Sequence, residues 1–363
     1  MPGSSRSFHL LVCLSSHGYG HFAMTAPILN AFIKQKNIRL TLRSTLPRTL
    51  LASRIDCDFE YIAQATDFGM QMKSSLDIDL QKSAEMYRGF HANYAAKVES
   101  EKQSLTAINP DLILANIPYL TIDAASQCGI PCIAYCSLNW LEIFEHYFLA
   151  AMPEAKQISQ QIMDAYNKAD VFLRPAPSMP MQQLNNTKTI GPVAVKNQQK
   201  IDLTKVIGCG QNKKLVLISP GGVPTEIPVY NWPKVDHIIW VCSWPIKTHR
   251  EDIICTDDIE LEFNIVLANC DAVICKPGYG IVTEAVCNQI PALYVKRDDW
   301  PEEPYLIDWW RKKGVVEEIP REALTDGNVL QPLQALWQRE FSEVVEPDGI
   351  KDACGVLNSF MVI

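Results

Sequence analysis

The sequence predicts an α/β protein of two domains, each an open parallel β-sheet covered by helices. Short apolar strands alternate with helical segments along both halves of the chain, which is typical of parallel sheets. The length of 363 residues also exceeds what one hydrophobic core usually serves. We place the boundary near residue 195, which predicts an N-terminal domain over 1–195, a C-terminal domain over 196–345 and a final helical segment over 346–363.

The stretch between the halves sets this boundary. Residues 174–193 contain several prolines and many polar side chains, and both features oppose regular helix and strand. We therefore predict an irregular linker there. Two domains joined in this way create a cleft, and ligands of open parallel sheets bind beyond the carboxyl ends of the strands.

The individual elements follow from apolar runs bounded by polar or glycine-rich turns. In the first half we predict strands at His9–Leu14, Arg39–Arg43, Asp111–Ala115 and Pro131–Tyr135, and helices at Ala26–Lys34 and Ser83–Ala107. In the second half we predict strands at Lys214–Ser219, His237–Cys242, Ala272–Cys275 and Ala292–Val295.

Composition and charge restrict the classes of partner. The chain is 47% hydrophobic and 20% charged, which is ordinary for a globular protein. The formal net charge of -8 argues against nucleic acid or an anionic membrane as the main partner. No apolar run reaches membrane-spanning length, so we expect no transmembrane segment. The twelve cysteines include no CxxC pair, and we expect reduced thiols in a cytoplasmic protein.

The most informative segment runs from Cys270 to Ala285. It predicts a buried strand, a glycine turn through Gly278, Tyr279 and Gly280, and a helix that opens at Thr283 with Glu284 in its first turn. Unpaired amides at a helix N-terminus bind a diphosphate well. Lys276 is a candidate counter-charge, and the Glu284 carboxylate is placed to accept hydrogen bonds from ribose hydroxyls. The segment therefore predicts a site for a nucleotide that carries a sugar.

A second glycine turn follows the first predicted strand and contains His17, Gly18, Gly20 and His21. The glycines allow another molecule to approach the backbone, and histidine accepts a proton near neutral pH. We favour His21 as the base and keep His17 as the alternative. The glycines can also form a simple turn that one histidine caps.

The same turn is a loose match to the dinucleotide fingerprint, which requires an acidic residue at the end of the second strand. That strand ends at Arg43 instead, and an arginine can bind the 2′-phosphate of NADP. An NADP oxidoreductase is therefore kept as the weakest alternative.

Two further segments follow predicted strands of the second half. Gly221 and Gly222 open the backbone to a diphosphate or a sugar, although a simple turn is equally consistent with them. Glu302 and Glu303, in the segment Arg297–Pro304, are candidates to hold sugar hydroxyls, with a solvated acidic loop as the alternative. Two Asp-x-Asp pairs lie away from these turns, and we expect neither a metal site nor a cofactor.

Taken together, these residues resemble the two-domain GT-B glycosyltransferases, whose fold is two Rossmann-like domains facing across a cleft. Gly20 and His21 after the first strand, with the later turn that ends in Glu284, are similar to MurG-type enzymes. The likeness is stronger to the glycosyltransferase-like N-terminal domain of plant-type L-arabinokinases. The matching segments are His17–His21, Asn139–Trp140, Gly221–Gly222, Lys276–Ala285 and Arg297–Pro304.

The resemblance implies an N-terminal acceptor domain and a C-terminal domain that binds a nucleotide-diphosphate sugar. It implies that His21 lies by the acceptor, together with Gly18, Gly20, Asn116 and Asn139. It implies that Glu284 holds the ribose and that the sugar lies near Glu302 and Glu303. The last helix of such proteins often returns to the first domain, which we expect of Ile350–Phe360 here.

The resemblance also bears on stereochemistry. Retaining enzymes of this fold often carry a glutamate eight residues before the position of Glu284, where this chain has Lys276. We therefore expect a metal-independent, inverting glycosyltransferase. The acceptor is open between a small molecule, a lipid-linked glycan and a polysaccharide.

Two positions depart from the related families. Met24 stands where they usually carry proline or arginine, and Asn116 stands where the arabinokinase pattern has an aspartate that would orient the base. The phosphate loop of the sugar-kinase half is also missing, so arabinokinase activity is not implied. These departures keep open the alternative of a non-catalytic nucleotide-sugar-binding protein. A nucleotide-sugar epimerase, which shares this architecture, is a third and weaker alternative.

Overall fold

The computed structural model describes residues 7–15, 17–34, 37–197, 199–210, 212–221 and 227–361. Two compact units account for its contacts. The first contains the described residues up to Met72, Ile78–Val193 and those from Asp348 onward. The second contains Lys73–Asp77 and Ala194–Pro347. A short segment of the first half of the sequence therefore belongs to the second unit.

The described part of the first unit contains a sheet of seven strands, all parallel, in the order β3-β2-β1-β4-β5-β6-β7. Its strands are β1 Phe8–Leu14, β2 Ile38–Arg43, β3 Glu60–Ile62, β4 Leu112–Asn116, β5 Cys132–Tyr135, β6 Val171–Pro175 and β7 Thr187–Ile190. Its helices are α1 Tyr19–Ile33, α2 Arg48–Ala52, α3 Leu80–His91, α4 Tyr94–Ile108, α5 Tyr119–Cys128, α6 Trp140–Phe148, α7 Ala155–Tyr166 and, near the end of the chain, α14 Gly349–Ser359.

Over its described residues, the second unit has a sheet of six parallel strands in the order β10-β9-β8-β11-β12-β13. Its strands are β8 Lys214–Ser219, β9 Ile238–Cys242, β10 Ile253–Cys255, β11 Ala272–Cys275, β12 Ala292–Tyr294 and β13 Val316–Glu318. Its helices are α8 Leu203–Ile207, α9 Phe263–Asn269, α10 Tyr279–Cys287, α11 Glu303–Lys313, α12 Ala323–Asp326 and α13 Leu330–Leu336, with short 3₁₀ turns at Val229–Asn231 and Thr256–Asp258.

The central strands of both sheets are buried, which explains why they were visible in the sequence as continuous apolar runs. Strand β4 is buried at every residue, and so is β11. Parallel sheets covered on both faces produce such runs. The prediction of two parallel-sheet α/β domains is confirmed, and each predicted strand lies within two residues of an observed one.

Three predicted elements were wrong in detail. The helix expected over Ser83–Ala107 is two helices, because Asn93 leaves the helical region with φ of -130° and starts α4. The helix expected at Ala26 begins at Tyr19 and contains Pro27 in its interior. The linker expected over 174–193 is not irregular throughout, because β6 and β7 pair in parallel at the sheet edge. Pro175 is tolerated there as the last residue of β6.

The last helix, α14, belongs to the first unit and packs against α1. The Gly349 amide donates to the carbonyl of Pro192 at 3.1 Å, and the Cys354 thiol lies 3.8 Å from the carbonyl of Ile28. A side chain at Gly349 would meet the backbone of Gly191, so the two glycines allow the close approach of these segments.

Candidate active site

The first candidate site is a cluster of side chains around two histidines, formed where β1 and β4 end side by side. Leu14 at the end of β1 is in register with Asn116 at the end of β4. His21, the third residue of α1, places its Nδ1 2.8 Å from Oδ1 of Asn116. The structure therefore brings together two residues that came from separate motifs. We call His17, His21, Asn116 and Trp140 the histidine pocket.

The Asn116 amide fixes which nitrogen of His21 carries the proton. Its Nδ2 donates to the carbonyl of His21 at 3.1 Å and to Oγ1 of Thr25 at 2.9 Å. The Thr25 hydroxyl in turn donates to the His21 carbonyl at 2.7 Å. Because the amide nitrogen is turned toward these two acceptors, Oδ1 faces the ring and Nδ1 donates to it. Neutral His21 then has its lone pair on Nε2, where a ligand proton can be accepted.

Sulfur atoms close the Nδ1 side of the His21 ring. The Cys136 Sγ lies 3.6 Å from Nδ1 of His21 and 3.9 Å from Sδ of Met24. Met24 is one of the two departures from the related families, and here it is a buried packing residue against the thiol. Only 6% of His21 is exposed, so this packing and the Asn116 contact hold the ring in one orientation.

His17 forms the other wall of the pocket. Its Nδ1 lies 3.1 Å from the carbonyl oxygen and 3.3 Å from the amide nitrogen of Met70. Its ring is edge-on to Trp140 at 5.0 Å and lies 6.3 Å from the ring of His21. Backbone atoms therefore orient His17, whereas a side-chain amide orients His21.

Residues 67–70 brace both aromatic walls. The Trp140 indole N–H donates to Oδ2 of buried Asp67 at 2.9 Å. Gly69 has φ of +60°, and a Cβ there would lie 2.7 Å from Trp140 and 2.8 Å from His17. Any side chain at position 69 would therefore displace one of the two rings. No pattern in the sequence indicated a role for this segment.

The remaining predicted residues of the acceptor side have distinct positions. Gly18 and Gly20 lie at the start of α1, and a Cβ at either position would meet nothing within 4 Å. Asn139 is fully buried and caps α6, with its Oδ1 accepting from the amide of Glu142 at 2.8 Å. The glycines thus leave the turn open, while Asn139 positions Trp140.

The second candidate site lies in the second unit, where three neighbouring strands end together. Cys275 at the end of β11 is in register with Ser219 of β8 and with Tyr294 of β12. The three segments that follow these strands contain Gly221, Lys276 and Arg297. With Gly278, we call these residues the lysine site. Gly222, also predicted to bind the donor, lies outside the described residues.

Lys276 extends between two glycines. Gly221 has φ of +104°, and a Cβ there would lie 2.8 Å from Cε and 3.4 Å from Nζ of the lysine. A Cβ at Gly278 would lie 3.9 Å from the same Nζ. Burial, and next the charge of Arg297, lowers the pKa of Lys276 to about 8, although Glu303 and Glu302 act in the opposite direction. The ammonium is therefore poorly solvated and gains from a nearby anion.

Helix α10 begins four residues earlier than predicted, at Tyr279. The amide of Val282 donates to the carbonyl of Gly278 at 3.0 Å, so Gly280 and Ile281 precede the first intrahelical donor of α10. The Thr283 hydroxyl donates to the carbonyl of Tyr279 at 3.0 Å, and the residue is fully buried. Glu284 lies in the second turn and is also buried. The first-turn placement of Thr283 and Glu284 was wrong.

The acidic segment after β12 contains two carboxylates with different surroundings. Both oxygens of Glu303 accept from Arg297, one from its amide at 2.9 Å and one from its guanidinium. That guanidinium also lies 4.3 Å from the centre of the Trp300 ring. Glu302 accepts from the Trp300 indole at 3.2 Å. Glu303 therefore belongs to the frame that orients Arg297, and Glu302 remains the stronger candidate for a sugar contact.

Arg43 bears on the dinucleotide alternative. It is 1% exposed, and its guanidinium pairs with Glu101 and donates to Thr121 at 2.9 Å. A guanidinium held in this way cannot bind the 2′-phosphate of NADP at the sheet edge. The structure therefore gives no support to the oxidoreductase alternative.

Known structures share the fold of this chain. The structure matches the calicheamicin glycosyltransferase CalG4 with a TM-score of 0.63 and 12% identity, over 98% of this chain and 99% of that one. It matches a Listeria monocytogenes protein assigned as a UDP-N-acetylglucosamine 2-epimerase with a TM-score of 0.57 and 12% identity, over 98% of this chain and 96% of that one. The fold is GT-B.

Sequence comparison is less informative. No protein-family model matches the chain. The chain is 23% identical over 325 residues to an L-arabinokinase from Arabidopsis thaliana, a match that covers 84% of this chain. It spans only 30% of that relative's length. Within the described ranges, none of the helices is long and apolar enough to cross a membrane.

Two of the missed residues left a signal in the sequence. Thr25 lies four residues after His21, so the two share a helix face. Arg297 is the first residue of the segment Arg297–Pro304 and follows the end of a predicted strand. Asp67 and Met70 left none, because their contacts with Trp140 and His17 exist only in the folded chain.

Proposed function

We propose that this protein is a glycosyltransferase that moves a sugar from a nucleotide-diphosphate sugar to an acceptor hydroxyl. The His21–Asn116 pair carries the proposal. In the proposal, Nδ1 of His21 carries the proton that Asn116 accepts, and Nε2 is the proton acceptor, which the hydrogen bonds of the Asn116 amide support. The GT-B fold, which the calicheamicin glycosyltransferase shares, supports the same conclusion.

In the proposed reaction, Nε2 of His21 takes the proton of the acceptor hydroxyl as its oxygen attacks the anomeric carbon. A C–O bond forms there, and the bond from that carbon to the diphosphate oxygen breaks with its electron pair. The imidazolium that forms carries a proton on each nitrogen, and Asn116 Oδ1 still accepts from Nδ1. General-base assistance of this kind contributes about 10²–10⁴-fold to the rate.

The leaving diphosphate gains negative charge, and we propose that the lysine site receives it. Lys276 and the amides of Gly280 and Ile281, at the start of α10, are donors that are already in place before the reaction. Such preorganised donors stabilise the developing charge more than they stabilise the substrate. We propose for the same reason that transfer requires neither a metal ion nor a cofactor.

Direct attack by the acceptor inverts the anomeric centre, and we propose this outcome. A retaining double displacement needs a carboxylate to form the covalent intermediate. At the position eight residues before Glu284 this chain has Lys276, an amine that the proposal already assigns to the diphosphate. Glu284 itself is proposed to hold the ribose, and Glu302 the sugar.

A panel of UDP-, GDP- and TDP-sugars tests the proposal by measuring release of the nucleotide diphosphate with and without candidate acceptors. His21→Ala is expected to bind the nucleotide diphosphate as the wild type does and to lose transfer by about 10²-fold or more. His237→Ala, at an exposed histidine of the second unit, is the matched control and should turn over normally. Equal turnover of His21→Ala and the control would remove the assignment of the base.

A nucleotide-sugar epimerase is the second candidate, and the likeness in fold to the Listeria monocytogenes protein favours it. Conversion of a nucleotide sugar into its epimer without any acceptor would identify this activity. Binding of a nucleotide sugar without transfer, hydrolysis or epimerisation would instead identify a binding protein, the alternative that Asn116 first raised.

A further inference from the structure

Residues 73–77 form a compact turn that belongs to the second unit although they lie in the first half of the sequence. The Lys73 amide donates to the carbonyl of Asp77 at 2.8 Å, and the Ser74 hydroxyl donates to its carboxylate at 2.6 Å. Arg321 of the second unit donates to the same carboxylate at 2.7 Å. We call residues 73–77 the tip segment.

The tip segment lies beside Lys276. Ser75 and Leu76 line a small cavity together with Lys276 and its neighbours Cys275 and Pro220. Ser75 is 1% exposed. Leu76 packs against the hydrophobic core of the second sheet, which includes Ile274 of β11. The apolar side of the lysine site is thus completed by a segment from elsewhere in the sequence.

We propose that the tip segment is a positioning element of the donor site. Leu76 excludes water from the side chain of Lys276 and holds that side chain between Gly221 and Gly278. This proposal deepens the proposed function and rests on it for the identity of the anion that Lys276 meets. Leu76 does not touch the reacting atoms. Its effect acts through the lysine.

The physical basis is the solvation of the ammonium. Burial is the main reason that the pKa of Lys276 is low. The charged or titratable groups that face it are Arg297, which lowers its pKa further, and Glu303, Glu302 and Cys275, which oppose this. Truncation of Leu76 changes none of these groups. It would only admit water to the lysine stem, which favours the charged form and raises the pKa.

The first test follows Lys276 directly and uses no ligand. Reductive ¹³C-methylation labels the lysines, Lys276→Arg assigns the signal, and its chemical shift is followed from about pH 7 to about pH 10, a range that spans the low value and the usual lysine pKa. We expect a midpoint near 8 in the wild type and a rise of about one pH unit in Leu76→Ala. Leu80→Ala, at an exposed leucine at the start of α3, should leave the midpoint unchanged.

The second test measures UDP affinity by calorimetry in the same variants. Leu76→Ala is expected to weaken binding by about threefold to tenfold at neutral pH, less than the loss of a whole charged hydrogen bond, because the lysine is misplaced and not removed. Leu76→Met, which conserves volume, should restore both the affinity and the titration midpoint.

The outcomes separate the two proposals. An unchanged Lys276 midpoint in folded Leu76→Ala would overturn the role of the tip segment, whether or not UDP binds. A shifted midpoint with no UDP binding in the wild type would keep the tip segment and overturn the donor assignment. A variant that fails to fold is replaced by Leu76→Val, which removes less of the side chain and should give a smaller shift of the same sign.

Discussion

The histidine pocket and the lysine site depend on different kinds of interaction. In the histidine pocket, neutral groups determine the chemistry, and an amide turned by two hydrogen bonds selects the proton position on His21. In the lysine site, burial and charge determine the chemistry. Lys276 is buried near Arg297 and two carboxylates, and these surroundings set its pKa. One site depends on the direction of hydrogen bonds, and the other depends on solvation.

This difference teaches what each site tolerates. A directional network fails when one partner is removed, but it changes little with pH or salt as long as the groups stay neutral. A desolvated charge responds to pH, to water and to any neighbour that alters its solvation. Substitutions in the two sites should therefore differ in kind as well as in size.

The largest effect is expected at Asn116. Asn116→Ala removes the acceptor of the His21 Nδ1 proton, so the ring can turn or adopt the other tautomer, and kcat should fall by about a hundredfold. UDP affinity should not change, because the lysine site is untouched. Steady-state kinetics with calorimetry on the same preparation measures both.

The matched control is Asn116→Asp, which keeps an oxygen in front of Nδ1 and adds a negative charge that stabilises the imidazolium. It loses the two hydrogen bonds that the amide nitrogen donates, so its kcat should lie well above that of Asn116→Ala without having to reach that of the wild type. If Asn116→Ala turned over as fast as Asn116→Asp, the directional account of the histidine pocket would be wrong.

A smaller effect is expected at Lys276. Lys276→Met should weaken UDP binding about tenfold near neutral pH, the size of one charged hydrogen bond. Wild-type affinity should decline as the pH rises through about 8, because the lysine loses the proton that attracts the diphosphate. The variant should show no such decline, and the two curves should converge near pH 10, which calorimetry across this range would reveal. Parallel curves would contradict the role of the lysine.

The smallest effect is expected at the exposed ion pair of the tip segment. Asp77 and Arg321 are each 44% exposed, so Asp77→Asn should change the free energy of unfolding by about 0.5 kcal/mol or less and UDP affinity by less than about twofold. Glu60→Gln, which breaks the exposed Arg39–Glu60 pair of the first sheet, is the matched control. A tenfold loss of affinity in Asp77→Asn alone would show that the turn is held by this charge rather than by Leu76.

Much of the fold was visible in the sequence because the central strands are buried on both faces. Strands β1, β4, β8 and β11 are apolar runs between clear turns, and all four were predicted. Strands β3, β10 and β13 have three residues each, are only partly buried and were missed, whereas β12 is equally short but fully buried and was predicted. The β6–β7 edge was missed because Pro175 indicated a linker.

The candidate site was predictable where chemistry follows a strand end. Glycines after β1, β8 and β11, with histidines after β1 and a lysine after β11, marked both sites, and Asn116 came from the family resemblance. The start of α10 was placed too late, because Gly280 was taken as part of the turn. Nothing in residues 67–77 predicted their contacts, since these exist only after distant segments meet. The roles of the individual site residues stay predictions.

The exchange of segments between the two units has a consequence for folding on the ribosome. The second unit includes Lys73–Asp77, which is synthesised early, whereas the first unit includes α14, which is synthesised after the whole of the second. The last helix of the first unit is therefore synthesised more than a hundred residues after the strands of the first sheet. During translation the α1 surface that α14 later covers is open, and a release of the chain before Asp348 would leave an apolar groove exposed. The order of synthesis thus completes the first unit after the second, although the first unit contains the earliest strands.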